Sequence, residues 1–401
     1  MASTDRIRLA AMVLAFGAAT ASCSSGGGGG SESAANSSKT AKLYVIAPQS
    51  GSNAYLGLGV RNGVTLAVNQ ANDRREIPGW KLQVEVLDDK ADRTAGAENA
   101  QRAAADSDAA AVIGSVFSGV TKAILPDLAA VGMPTIGPSP TNPALTRGDA
   151  YASAPARPFP TFFRVIAPDD AHGPALAKYL GEKGTNTVAT AHDGDLYGIG
   201  LVAAFTAGFS GRVVDVGQAS TTDHEYSGLV ERIRSSGAQA VLFGGNSPEA
   251  GPLSLQLKKA GVVIPVVGGD SLATNEYIPM AGPVSAGDLS TKAGNPIEQI
   301  EEGKTFLKDY ANAEFAEPVN GFAALGYDAA RAAILALKES LPAAATAKDA
   351  RAATVKALAG VRFPGTGGPV AFDGFGDITP RVVTVMSVQG GAWKTAKTYT
   401  F

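Results

Sequence analysis

The sequence predicts an α/β protein built as two similar open lobes, each with a parallel-sheet core. Short apolar runs alternate with amphipathic stretches of helical period, and that alternation starts twice along the chain. Late segments then cross back between the two units. Strands that alternate with helices call for a parallel sheet covered on both faces.

In the first unit, Lys42 to Ala47 reads as a strand, and Val60, Val64, Ala67, Val68 and Ala71 share one face of the helix that follows. Leu82, Val84 and Val86 alternate as a second strand, with Arg93 to Ala105 as its helix. Ala109 to Ile113 is a fully apolar strand, followed by a Ser/Gly loop and a helix around Val120 to Val131. Pro134 to Ile136 closes the unit and runs into the turn-rich Gly137 to Pro143.

The second unit begins with Phe163 to Ala167. Asp169 and Asp170 suit the N-cap of a helix burying Leu176, Tyr179 and Leu180. Strands follow at Thr187 to Ala191, Arg212 to Val216, Ala238 to Phe243 and Ile264 to Val267. Their helices run to about Phe209, over Tyr226 to Ser235 and from Pro248 to Ala260. Helices at Ile297 to Ala313 and Asn320 to Leu341 come next, then Gly368 to Asp373. A hairpin over Val382 to Lys394, turning at Gly390 and Gly391, ends the pattern.

Ahead of both units, Arg6 and Arg8, the apolar Leu9 to Phe16 and the small Ala18 to Ser22 have the anatomy of an export signal. The lone cysteine, Cys23, ends that stretch and precedes Gly26 to Gly30. This is the pattern of a lipoprotein processing site, with Thr20 where Leu is usual. A simple secreted protein with an incidental cysteine is the alternative. The apolar run is too short to cross roughly 30 Å of hydrocarbon. Residues 1–23 are therefore expected to be signal and lipobox, and 24–40 a flexible linker.

The chain is 45% hydrophobic and 18% charged, with a net charge of -3. That balance supplies ample core and argues against nucleic acid as a partner. Its three histidines, His172, His192 and His224, have no metal-ligand spacing, and no G-x-S-x-G elbow marks a nucleophile. Gly57, Gly59 and Gly63 miss a dinucleotide fingerprint by one residue. No catalytic residue, metal site or cofactor is expected.

In open parallel sheets, ligands sit beyond the carboxyl ends of the strands. In the first unit those loops are Ser115 to Gly119, which opens directly onto a helix, and Ser139 to Asn142. Hydroxyls and free N–H groups there suit an anion. The second unit offers Asp193 with Tyr197, Asn246 to Glu249, and Gly268 to Asp270, so carboxylates for a cation. A small zwitterion fits between the two.

Several segments carry a wider likeness: Val112 to Gly119, Pro134 to Thr146, Phe163-Arg164 with Asp169-Asp170, and His192-Asp193 with Tyr197 to Leu201. Phe243 to Gly245 with Pro248-Glu249, Gly268 to Asp270, Gly326 to Ala330, and Gly368 to Val370 with Phe372-Asp373 extend it. In this order and spacing, the chain resembles the periplasmic leucine/isoleucine/valine-binding family, the type I substrate-binding proteins of ABC transporters. The resemblance runs from about Lys42 to Trp393. It implies two Rossmann-like lobes joined by a multi-strand hinge, 41–166 with 291–380 and 167–290 with 381–401.

It also implies roles. Ser118 and Thr141 match positions holding a ligand α-carboxylate, and Ser139 one whose carbonyl takes an ammonium proton. Asp270 stands where the family places a carboxylate, usually Glu, for that ammonium. Tyr197 matches an aromatic wall and Phe322 a hydrophobic contact near the hinge. Two positions depart from the family: Leu56, next to Tyr55, and Asn246 replace tyrosines that border the ligand side chain. The amino acid backbone site looks kept and its side-chain site altered. The resemblance thus implies a monomeric lipoprotein outside the cytoplasm, capturing an amino acid or related amide for an ABC permease and its ATPase subunits. A ligand sensor for a signalling partner would use the same fold.

Overall fold

The computed structural model describes residues 38–401. The export signal, Cys23 and most of the expected linker lie outside the described residues. The first sheet forms from β1 (Lys39–Ala47), β2 (Trp80–Asp88), β3 (Ala109–Gly114), β4 (Thr135–Gly137) and β5 (Phe162–Arg164). Its order is β2-β1-β3-β4-β5 and every pairing is parallel. Strand β3 is central and buried along its whole length, as an uninterrupted apolar run requires. Helices α1 (Ala54–Asp73), α2 (Arg93–Ala105), α3 (Ser118–Ala130) and the short α4 (Ala144–Arg147) connect these strands.

The chain then crosses to a second sheet, entering through α5 (Asp169–Glu182). Pro168 holds the cap position of α5 and makes no side-chain cap bond; Asp169 and Asp170 lie inside the first turn instead. The expectation that these aspartates cap the helix is therefore corrected by one residue. Proline, with its fixed φ and missing N–H, suits a helix start. The second sheet contains β6 (Thr187–His192), β7 (Arg212–Gln218), β8 (Ala240–Gly244), β9 (Val266–Val267) and β10 (Leu289–Ala293). Helices α6 (Leu196–Gly208), α7 (Ser227–Ser236), α8 (Ser247–Lys259) and α9 (Tyr277–Ala281) lie between them.

After Ala293 the chain returns to the first sheet's side with α10 (Glu301–Asn312), α11 (Gly321–Ser340), α12 (Ala347–Leu358) and the hairpin of β11 (Arg362–Gly365) and β12 (Gly368–Ala371). A last crossing brings β13 (Val382–Gln389) and β14 (Ala392–Thr400) onto the second sheet, whose order is β14-β13-β10-β9-β8-β6-β7. Both late strands pair antiparallel. Strand β10 and helix α12 have no counterpart in the sequence reading. Each is short, and α12 is alanine-rich with only Ala347, Ala350, Arg351, Thr354 and Leu358 buried.

One apolar core surrounds the first sheet, while two further cores cover opposite faces of the second. Helices α1 and α11 pack backbone to backbone. A Cβ on Gly63 would collide with the Ala323 carbonyl, and one on Gly326 would stand 2.6 Å from the Val60 carbonyl. This close approach sets Leu56 of α1 and Phe322 of α11 on one wall.

A buried arginine fixes the loop after β4. Arg164 is fully buried; its Nε donates to Asp377 Oδ1 at 2.7 Å and its Nη2 to Thr146 Oγ1 at 2.8 Å. Its Nη1 donates to the carbonyls of Pro140 at 3.1 Å and Asn142 at 2.9 Å. Removing one partner of a buried charge pair leaves the other uncompensated, at a cost of about 3–5 kcal/mol. Asp377→Ala is therefore expected to lower unfolding free energy by about that much. Chemical denaturation followed by circular dichroism checks it; an unchanged midpoint would count against the clamp.

Candidate functional site

The strand-end loops of the two sheets face one another. On the first side, Ser118 is the opening residue of α3, whose cap position, Phe117, offers no side-chain acceptor. The first N–H groups of α3 thus lack intrahelical partners, as at any helix start. Ser118 Oγ accepts from the Asn142 N–H at 3.2 Å, which ties this loop to the one after β4. Ser139 Oγ donates to the Val116 carbonyl at 3.2 Å. The Thr141 carbonyl accepts from Asp169 N–H at 2.9 Å, and its buried Oγ1 has no partner.

On the second side, Asp270 follows β9 at the start of a 3-10 turn. Tyr197, in the first turn of α6, donates to Asp270 Oδ1 at 3.4 Å and lies 3.1 Å from Ser271 Oγ. Asn246 sits buried at the cap of α8. Direct contacts join the two sides: Asn142 Nδ2 donates to the Leu196 carbonyl at 2.9 Å, and Arg93 pairs with Asp195 at 2.6 Å. The Arg93 pair is exposed, so its contribution is small.

These elements enclose one cavity lined by Leu56, Ser118, Ser139, Tyr197, Asn246, Asp270 and Phe322, together with Val116, Phe117 and Ser271. Of the residues to which the resemblance gave a place at the ligand, only Thr141 is missing from that lining; the strand-end carboxylates Asp193 and Glu249 also lie outside it. Thr141 is buried behind it, beside Asp169. The cavity measures about 20 Å³, near the room one water needs, so the walls must part to admit an organic ligand.

Burial pushes the Asp270 carboxyl up to about 7 from its ordinary 3.8. Burial likewise raises Asp169 to about 8, with the Asp270 charge adding to the effect against a lowering Thr141 hydroxyl. Neither Asp169 oxygen has a hydrogen-bond partner. Further out, burial lifts Glu249 to about 7 and Asp193 to about 6. Desolvation disfavours a carboxylate until a cation arrives, so this wall is built to receive positive charge. Asp169 escaped the sequence reading because an aspartate at a helix start is ordinary capping chemistry. Phe117 and Ser271 adjoin residues that were picked, and adjacency was their only signal.

A family model described as periplasmic binding protein matches residues 40–392. The Leu/Ile/Val-binding protein BraC3 of Rhizobium johnstonii is 30% identical over 353 residues, covering 86% of this chain and 91% of its own. The leucine-, isoleucine-, valine-, threonine- and alanine-binding protein of Pseudomonas aeruginosa is 27% identical, covering 89% and 92%. Among solved structures, the isoleucine complex of the branched-chain amino acid transporter substrate-binding protein LivJ from Streptococcus pneumoniae superposes with a TM-score of 0.79. It is 24% identical and covers 90% of this chain and 99% of its own. A benzoate complex of an ABC transporter solute-binding protein from R. palustris has a TM-score of 0.76 at 22% identity, covering 90% and 96%.

The raised carboxyls set a pH dependence. Each holds a proton in the folded state that the unfolded chain has already lost, so their contribution to stability is fully present below the ordinary carboxyl range and is lost as pH rises through the folded-state values. His172, which burial pushes down to about 4, works the other way, but only below its ordinary 6.5. Without ligand, the melting midpoint should therefore fall from about pH 6 to about pH 8, and less steeply in Asp270→Asn. Differential scanning fluorimetry across that range reads it; parallel slopes would contradict the assignment.

Proposed function

This chain belongs to the periplasmic binding protein family, and from that premise we propose that it captures an amino acid between its lobes and delivers it to an ABC-type permease. Proteins of this family act outside the cytoplasm and bind solutes rather than transform them. The observation that carries the reading is the polarity of the closed cavity. A helix start and the Ser118 hydroxyl stand on one wall, and the half-buried Asp270, which has no ion-pair partner among the described residues, stands on the other. A zwitterion satisfies both walls at once.

In this reading the lobe bearing Ser118 and Thr141 takes the α-carboxylate first. Hinge closure then brings Asp270 and Tyr197 over the ammonium, and the Ser139 carbonyl accepts one of its protons. Hydrogen bonds to charged groups contribute roughly 1.5–3 kcal/mol each. Four or five of them support about -8 kcal/mol, micromolar affinity, once desolvation and closure are subtracted. Leu56 and Asn246, in place of the family's tyrosines, leave the side-chain end less aromatic and more polar. The relatives' preference for branched chains therefore does not transfer automatically.

Asp270→Ala should weaken amino acid binding by about 100-fold or more, since a buried ammonium loses its counter-charge. Calorimetry with the best ligand from a thermal-shift panel of amino acids and amides measures this. Unchanged affinity would remove Asp270 from the site, and a panel without any stabilising amino acid would sink the reading.

Cys23 is inferred to carry a lipid that keeps the receptor beside its permease. Cys23→Ser should move the protein from the membrane fraction to the soluble one. A wild-type protein that is already soluble would leave export without anchoring.

A further inference from the structure

A second and larger cavity, of about 510 Å³, adjoins the amino acid site on the side of the chain crossings. Asp270 and Phe322 belong to the walls of both, so the large cavity begins where the small one ends. Its volume is far greater than a branched-chain side chain fills. One wall is α11, with Phe322, Leu325 and Asp328; the opposite wall is the second sheet, with Lys292, Thr384 and Met386.

Lys292 is the group in that wall without an assigned task. It lies on β10 opposite Thr384 of β13 and is half-buried. Strand β10 runs beside the segment that leads into Asp270. Gly268 N–H donates to the Leu289 carbonyl at 3.0 Å, and Ser290 Oγ donates to the Gly269 carbonyl at 2.6 Å. Lys292 is two residues beyond Ser290 and shares its face of the strand. Lys292 and Asp270 both line the large cavity.

The other charges lining the cavity are accounted for. Asp270 serves the α-ammonium, and Asp328 Oδ2 accepts from the Thr366 hydroxyl at 2.8 Å and its N–H at 3.0 Å. Glu298 and Lys394 are exposed at the rim. Burial lowers the Lys292 ammonium from its usual 10.5, opposed only by the charge of Glu298. Among the described residues, Lys292 has no hydrogen-bonded counter-ion.

We propose that this cavity is a side-chain subsite in which Lys292 receives the anionic end of a dicarboxylic amino acid whose chain runs past Phe322. The proposal rests on the amino acid reading of the adjoining site and names the substrate class within it. Asp270 and Ser118 hold the α-amino and α-carboxylate groups, and Lys292 selects for a second carboxylate at the far end. Leu56 and Asn246, which leave the near wall uncrowded, are consistent with a chain that passes rather than one that stops there.

Calorimetry of the full mature protein with L-leucine, L-glutamate and L-2-aminoadipate tests it. A dicarboxylic acid should bind about tenfold or more tighter than leucine, and Lys292→Met should erase that margin while leaving leucine affinity unchanged. If the methionine variant does not fold, Lys292→Gln carries the same comparison. Leucine binding without acid binding, or acids held equally well by the variant, would overturn the subsite and leave the amino acid reading intact. Absence of binding by all three would overturn both.

Discussion

The site depends on one fully buried guanidinium. Arg164 ends β5, yet its donors are used on the carbonyls of Pro140 and Asn142, either side of Thr141. That bonding holds the loop after β4 so that Ser139 lines the cleft, and the Asn142 N–H reaches Ser118. The counter-charge, Asp377, comes from the last crossing of the chain more than 200 residues later, and Arg147 Nε lies 3.2 Å from its other oxygen. A buried ion pair is weak evidence for net stability but strong evidence for a specified geometry when its remaining donors are all used. Here they are, and the geometry they specify is that of the loop carrying Ser139 to the cavity wall.

The opposite half follows a different rule. The Asp169 and Glu249 carboxyls are buried, and neither Asp169 carboxyl oxygen has a hydrogen-bond partner. Such groups cost free energy while unpaired. The closed arrangement is held across the lobes by little more than Asn142 on Leu196 and an exposed Arg93–Asp195 pair. A molecule with this balance closes firmly only when a ligand brings the missing positive charge. Under the proposed function, binding and closure are then one event.

Much of this was legible from residue order. Ser118, Ser139, Tyr197, Asn246 and Asp270 all sit at carboxyl ends of apolar runs that the hydrophobic period identified, and in a parallel sheet those ends converge. Leu56 and Phe322 came from resemblance alone, because a leucine in α1 and a phenylalanine in α11 look like core. Their place on the cavity wall comes from the Gly63 and Gly326 contact between two helices far apart in sequence. Lys292 was illegible for a plainer reason. Strand β10 is short and polar, and nothing local says that it pairs with β13 or that its lysine faces a cavity.

By itself the sequence determined the α/β class, the alternation of strands and helices, and most of the loops that meet at the cavity. Periodicity, turn residues and small spacings are local quantities that a single chain displays openly. Tertiary structure alone decided that Asp377 would answer Arg164, that the Asp169 carboxyl oxygens would be buried without a partner, and that Lys292 and Asp270 would line one large cavity. Each of those outcomes depends on desolvation. How far a charge is removed from water is set by everything packed around it and by none of its neighbours in sequence.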